Sequence, residues 1–440
     1  GGIAGAFSKG PVLKPVRISS ESQLIEQFGE PTDANANEWW TAASFLQYGG
    51  VLDVVRVSTT GQLTASDDNV TSPYTLSIPT VEVYESTYAN ATANSFKWAA
   101  RSPGVSSNAI KVAIIDKGAD VTLSLDGALA TTTIGTQVQT ASGSPNGAKS
   151  GFIYEWDSVN NKVSLITSDT WTTTDVIENG VTDLNVTAKA EWYDSQTAFG
   201  NVSWASISPR PGTSPYVAER GGANDEMHIV VYDSTGVITG KPNTLLEKFT
   251  YVSKANDAKT SSGAVNYYPT VVLNKSQYVY WGSHENDAYD VSGNAAITTG
   301  ANFGGTDNKG NPSTTTFDLF SSVLVNRTYT FVKGAETLGA TSGEIITGLN
   351  EFADTETIDV DYLLMGGGDS GSKTNTQAIA AKVLSVCSGR KDAVGFISPY
   401  YGDVVGVTSS ATQTQNVVDF YSNMQATSFG VFDSGWKYIY

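Results

Sequence analysis

At 440 residues the chain has room for roughly three domains of about 150 residues each, and a hydrophobic share of 40% supplies their cores. A balance of 26 basic against 44 acidic residues, net −18, sets the chain against phosphate backbones and so against nucleic acid as a partner. One cysteine and two histidines exclude an internal disulfide framework and argue against a zinc cluster.

Only 16% of residues are charged, so Ser, Thr, Asn and Gln must carry most of the surface; with 43 glycines, this suits a turn-rich fold containing β-structure. No run of about 18 apolar residues is present, which argues against a membrane-spanning helix and direct membrane insertion, and no signal peptide is visible.

GGIAGAFS reads as a strand already under way, KGPVLKP as a turn and PVRIS as a short extended piece. SSESQLIEQFGEP predicts a helix: Ser20 and Gln23 make a capping box, Leu24, Ile25 and Phe28 share a face, and Gly29 with Pro31 ends it. ANEWWTAASFLQYGG predicts a second helix, with Trp39, Ala43 and Leu46 on one side. Residues 51–58, VLDVVRVS, are almost continuously apolar, as in a strand buried on both faces. Residues 58–101 show little helical period, and 102–116 read as a turn feeding a strand. From 117 to 206, alternating stretches around Asp-Gly and Asn-Asn turns predict hairpins in a small antiparallel domain. MHIVVYDSTGVITGKP predicts a hairpin with Ser234, Thr235 and Gly236 at its tip, followed by TLLEKFTYVSK and a strand pair in NYYPTVVLNKSQYVYWG. Residues 290–316, rich in Gly, Asn and Thr, predict a mobile loop.

From Gly334 an α/β pattern returns. Thr341 with Glu344 caps a helix carrying Ile345, Ile346, Leu349 and Phe352, and IDVDYLLM follows as a strand. Thr374 with Gln377 caps the next helix, where Cys387 fits the apolar pattern of Ile379, Val383 and Val386 as a buried residue. AVGFISP is a further strand, and 413–424 a helix presenting Val417, Tyr421 and Met424. The order β-α-β-α-β predicts a parallel sheet shared with the opening unit. The fold class is therefore α/β and β mixed, multidomain: an α/β sheet domain from both chain ends (1–58 and 334–440) with inserted β-rich domains. These are a middle domain (59–116 and 207–333) and an antiparallel domain (117–206). GWKYIY is strand-like to its last residue, so the chain reads as cut at both ends.

LLMGGGDSGSKTNTQ contains Gly366, Gly368 and Gly371 as G-x-G-x-x-G between a strand and a helix. A dinucleotide site needs its third glycine at the helix start and an acid at the end of the next strand. Here SKTN intervenes before Thr374, Asp392 precedes its strand, and the strand end offers Ser398 and Tyr400. The GDSG around Ser370 needs a histidine base backed by an acid, and neither His228 nor His284 lies in a base-bearing segment. A flexible βα turn is the remaining reading. Asp307-Asn308-Lys309-Gly310 lacks the spaced Glu of a calcium loop. Asn90-Ala91-Thr92 and Asn201-Val202-Ser203 are sequons expected by chance in so Asn- and Thr-rich a chain. Trp156, Trp171, Trp192 and Trp204 fit an exposed carbohydrate face or, more commonly, cross-strand packing. No catalytic, cofactor-binding or metal residue is assigned, and no cofactor.

The run GPVLKPVRISSESQLIEQFGEP with FLQYGGVLDVVRV resembles the contractile tail sheath proteins of myovirus-type bacteriophages. So do SPGVSSNAIKVAIID, DEMHIVVYDSTGVITGKPNTLLEKFTYVSK, TLGATSGEIITGLNEFADTETIDVDYLLMGGG, SGRKDAVGFISPY and GWKYIY, in the family's order. The resemblance implies a structural virion subunit and no enzyme. It would polymerise with neighbouring sheath subunits as hexameric rings around the tail tube protein, bounded by baseplate and tail terminator proteins. It would contract to drive the tube through the host envelope, after assembly in the host cytoplasm. The family's N-terminal arm and C-terminal domain have no counterpart in these residues, and 117–206 match no shared motif, which places them on the outer surface. A pyocin-like or type VI secretion sheath is the neighbouring alternative. From another class, an NAD-binding enzyme would use the Gly366–Gly371 loop, and a carbohydrate-binding surface protein the inserted domain.

Overall fold

The computed structural model describes residues 1–68, 71–91, 94–284 and 326–436. The stretch 290–316 with its Asp307 motif, Thr92 of one sequon, and the last four residues of GWKYIY lie outside them; Gly435 and Trp436 are not in a strand.

Both ends of the chain build one six-stranded sheet in the order Val16–Ile18, Leu52–Arg56, Gly2–Gly5, Tyr362–Leu364, Val394–Ile397, Gly430–Phe432. All neighbours are parallel except Val16–Ile18, which runs against Leu52–Arg56. Leu52–Arg56 is buried at every position, as its unbroken apolar run requires. On one face lie the helices Glu21–Phe28 and Ala36–Gln47, packing Leu24, Phe28, Trp39 and Leu46 onto Ile3, Val54 and Leu364. On the other, Ser342–Asn350 and Lys373–Arg390 pack Leu349, Val383, Leu384 and Cys387 against Ala4, Val55 and Leu363. Burial pushes the Cys387 thiol up to about 11, so it is an inert core residue. The first face is covered only in part: Tyr362, Phe396 and Val431 lie side by side on it and stay about two-fifths exposed.

Cap details differ from expectation. Ser20 Oγ accepts the Gln23 N–H at 3.2 Å, but Gln23 Oε1 reaches past it to the Ser19 N–H at 2.8 Å. Thr341 and Glu344 do form a reciprocal box. The next helix is capped by Ser372, not Thr374, because Ser372 is extended and its Oγ accepts the Asn375 N–H.

Gly348 sets how closely Ser342–Asn350 approaches the sheet. A Cβ there would lie 2.5 Å from Val57 Cγ1 and 3.1 Å from Ala4 Cβ. Gly348→Ala should gain up to about 1 kcal/mol of helix propensity yet lose about 1–3 kcal/mol to overpacking. Thermal unfolding checks this, and a net rise in melting temperature would refute the close contact.

The middle of the chain forms a four-stranded antiparallel sheet ordered Thr244–Ser253, Glu226–Asp233, Ile110–Ile115, Asn326–Thr330. Here three expectations fail. The hairpin partner of MHIVVYD is TLLEKFTYVS, not GVITG. Asp233 explains why: its carboxylate accepts the N–H groups of Gly236, Ile238 and Thr239, winding 234–240 into a turn. Tyr268–Lys275 is a helix rather than a strand, because Tyr268, Val271 and Val272 are buried at helical spacing and Pro269 sits in the first turn, where its missing N–H is harmless. Val81–Thr87, in the stretch without visible helical period, is a helix capped by Thr80.

Residues 121–191 form a separate six-stranded antiparallel sheet, ordered Val176–Ile177, Leu184–Glu191, Val121–Leu125, Lys162–Ile166, Ser150–Asp157, Gln137–Gln139. Trp171, Trp192 and Trp204 are buried, and Trp156 is half-buried against the core. They make no exposed face. Trp192 and Tyr154 join the core of the middle sheet instead.

Candidate functional site

The chain leaves the central Gly2–Gly5 strand toward Leu52–Arg56 on one side, and leaves Tyr362–Leu364 toward Val394–Ile397 on the other. The crevice beyond the carboxyl ends of these two central strands is the topological switch point, where open α/β sheets commonly bind ligands. A cavity of about 340 Å³ lies there, lined by Ala6, Asn37, Glu38, Ser342, Asp369 and Asn375 among others. Gly368, Asp369 and Ser370 of the glycine turn are part of its lining.

This turn is filled from within. Gly368 has φ +65°, a conformation that strains other residues, and a Cβ on Gly367 would come 2.3 Å from Asn37 Cβ. Asp369, the acid of GDSG, is a bracket for the helix start. Its Oδ2 accepts Asn375 Nδ2–H at 2.7 Å, its Oδ1 accepts the Gly371 N–H at 2.9 Å, and its N–H donates to Thr376 Oγ1. At the helix N-terminus that a phosphate would need, Ser372 Oγ takes the Asn375 N–H, and Asp369 braces the turn beside it. Asn35 ties the Ala36–Gln47 helix to the strand end by donating Nδ2–H to Ala6 O at 3.0 Å.

The other sequence candidates lie elsewhere. Asp392 pairs with Arg390 at 2.9 Å, ahead of the Val394–Ile397 strand and at the end of the sheet away from the glycine turn. Ser370 accepts the Tyr400 hydroxyl through its carbonyl. His228 is buried in the middle sheet, with Nε2 2.8 Å from Pro209 O and Nδ1 accepting the Tyr251 N–H at 3.0 Å. That pattern requires the neutral ring, and burial lowers its basicity. His284 Nδ1 lies 2.7 Å from the Tyr268 hydroxyl. The structure brings neither histidine to Ser370 as a hydrogen-bond partner. Among the described residues no group of three or more His, Cys, Asp or Glu could hold a metal, and no helix is long and apolar enough to cross a membrane.

One residue of the cavity escaped the sequence reading. Glu38, in the first turn of its helix, is half-buried against Gly5 and the glycine turn, and burial raises its carboxyl to about 7 despite hydrogen bonds from its own N–H and that of Gly367. The spacing Asn35…Glu38 hinted at a helix start. Nothing in it foretold that a glycine turn over 300 residues away would close on the side chain.

No family model matches the chain. Over 54 residues, 12% of this chain and 8% of the relative, it is 41% identical to the tail sheath protein of Enterobacteria phage T4. Over 62 residues, 14% of this chain and 9% of the relative, it is 40% identical to the tail sheath protein of Vibrio phage KVP40. The matches thus span under a tenth of these relatives' length. Two solved structures align over most of the chain: a sheath tail protein from Listeria innocua (9% identity, TM-score 0.35, 91% of this chain and 48% of that one) and one from Desulfitobacterium hafniense (11%, 0.30, 95% and 57%). At those scores the structural likeness carries no argument of its own. The two stretches of sequence identity support a phage tail sheath-type structural protein.

Proposed function

We propose that this chain is the structural subunit of a phage contractile tail sheath, stacking with its neighbours as hexameric rings around a tail tube and contracting to drive the tube through the host envelope. The observation that carries the reading is the 40–41% identity with two named tail sheath proteins. The filled glycine turn agrees with a structural rather than catalytic role. Head-to-tail contacts that do not close produce helical arrays, and contraction needs a bistable interface rather than a nucleotide site. Tube, baseplate and tail terminator proteins are the proposed partners, and the virion tail the proposed location, reached after assembly in the host cytoplasm. We also propose as domains 1–58 with 334–440, 59–116 with 207–333, and 117–206, the last on the outer surface.

The test is negative-stain electron microscopy of the purified chain beside a longer version carrying flanking segments of a sheath protein. Tubes or stacked rings from the longer chain are expected. Failure of both to polymerise across salt and concentration would overturn the reading.

A further inference from the structure

His228 ties three pieces of the chain together. It stands on the strand Glu226–Asp233, wholly buried. Its Nδ1 accepts the Tyr251 N–H from the neighbouring strand at 3.0 Å, and its Nε2 lies 2.8 Å from the carbonyl of Pro209, in the segment that follows the 121–191 sheet. Tyr251 is not an ordinary ladder residue. The register slips between Met227 and Ile229, so Thr250 and Tyr251 together stand opposite His228 as a bulge. Tyr251 has φ +56°, a left-handed backbone that strains a tyrosine. Its ring meets the imidazole edge-on at 4.7 Å, its hydroxyl donates to Pro209 O at 3.3 Å, and its carbonyl accepts Asn266 Nδ2–H at 2.9 Å. Of these ties, the imidazole is the one that titrates near neutral pH.

The partners fix the ring's protonation. A backbone N–H only donates and a carbonyl only accepts, so Nδ1 must be bare and Nε2 must carry the proton. A second proton has to enter at Nδ1, where it meets a donor. The charged groups on the surrounding elements are already engaged. Arg210, beside Pro209, pairs with Asp120 at 3.2 Å, and Asp116, next to the Ile115 that faces His228 across the sheet, pairs with Lys254 at 2.8 Å. On the strand itself, Glu226 accepts the Gly212 N–H at 3.1 Å and Asp225 the Ser214 N–H at 2.7 Å. Tyr193, whose hydroxyl donates to Ser208 O, stays neutral.

We propose that His228 is an acid-sensitive pin for the Tyr251 bulge. The neutral ring holds the left-handed backbone of Tyr251; protonation of Nδ1 turns the acceptor into a donor, breaks that bond and lets the bulge relax toward extended backbone. The Met227 carbonyl is an acceptor for the new proton. The Pro209 contact survives, because Nε2 donates in either form, so the ring keeps the linker and releases the strand. Thr244–Ser253 is the outermost strand of its sheet, so the freed segment lies on an edge. The direction follows from linkage. Burial lowers the ring's basicity more than the Pro209 and Met227 carbonyls raise it. The stabilisation is therefore complete above about pH 6.5 and is lost progressively as pH falls below it. The pin does not depend on the sheath reading and is tested without polymerisation.

Hydrogen–deuterium exchange of the Tyr251 amide is measured in the full chain and in His228→Asn, whose side-chain oxygen accepts at every pH. Taking the ratio of the two rates at each pH cancels intrinsic exchange. Between about pH 7.5 and about pH 5 the ratio should rise at least about fivefold, with a ceiling of about 30-fold for a released imidazole of ordinary basicity. A smaller rise overturns the pin. Should His228→Asn fail to fold, nitrogen-15 imidazole spectra of the unaltered chain decide, since it has two histidines. The ring in contact with Tyr251 is expected to carry its proton on Nε2 and to titrate below about pH 6; a proton on Nδ1, or a midpoint at or above about 6, overturns it.

Discussion

Arg390→Met should lower stability by about 3–5 kcal/mol, as expected when a buried charged hydrogen-bond hub is removed. The guanidinium is almost wholly buried and satisfies three backbone carbonyls, those of Phe352 at 2.8 Å, Asp354 at 2.9 Å and Ile358 at 2.9 Å. It also holds Asp392 through two bonds at 2.9 and 3.1 Å. Asp392 is half exposed, so the ion pair itself is a minor contribution. The carbonyls dominate: that of Phe352 is buried and those of Asp354 and Ile358 are partly so, and all three lose a charged donor at the end of the long Lys373–Arg390 helix. Arg390→Lys keeps the charge but replaces a planar fork with a single ammonium that cannot span three carbonyls, and an intermediate loss is expected. Denaturant unfolding of both variants gives the comparison. A loss under about 1 kcal/mol for methionine, or none for lysine, would refute the clamp.

Lys254→Met should cost a similar 3–5 kcal/mol, by a different route. Lys254 Nζ and Asp116 Oδ2 lie 2.8 Å apart, their side chains 0% and 4% exposed, where the middle-sheet strands Ile110–Ile115 and Thr244–Ser253 end. Removing the ammonium leaves a carboxylate in a dry core, which is far costlier than losing both charges. Asp116→Asn keeps the Asp116 oxygen that accepts the Gly118 N–H at 3.1 Å. The double variant should therefore be more stable than Lys254→Met alone, with a coupling of about 1–3 kcal/mol in a double-mutant cycle. Additive losses would show that the two charges do not act as a pair.

Arg390 also shows where sequence reading stops. In the sequence, Arg390-Lys391 is a basic pair in an acidic chain, and nothing beside it marks one residue from the other. In the fold the two residues part company: Arg390 turns inward to three carbonyls, while Lys391 takes a left-handed φ of 65° to end the helix. Local spacing cannot report carbonyls 32 to 38 residues away. The same limit hid Glu38, whose burial depends on Gly366 and Gly367, and it misassigned Tyr268–Lys275, whose β-branched valines are helical because they pack on a neighbouring core.

What the sequence determined by itself was whatever rests on near-neighbour chemistry. Caps at Ser20 and Thr341, the buried run of Leu52–Arg56, the parallel β-α-β-α-β order and the alternation within 121–191 are all written within a few residues of where they act. The same local evidence gave the mixed α/β and β class. Only the tertiary structure decided the strand order within the shared sheet, with its switch point between Gly2–Gly5 and Tyr362–Leu364, and that Asp369 brackets the turn before the helix. Only there, too, does half of one sheet face stay open at Phe396. Those outcomes depend on which surfaces meet after the chain has crossed hundreds of residues, and burial, not local propensity, then sets what each side chain does.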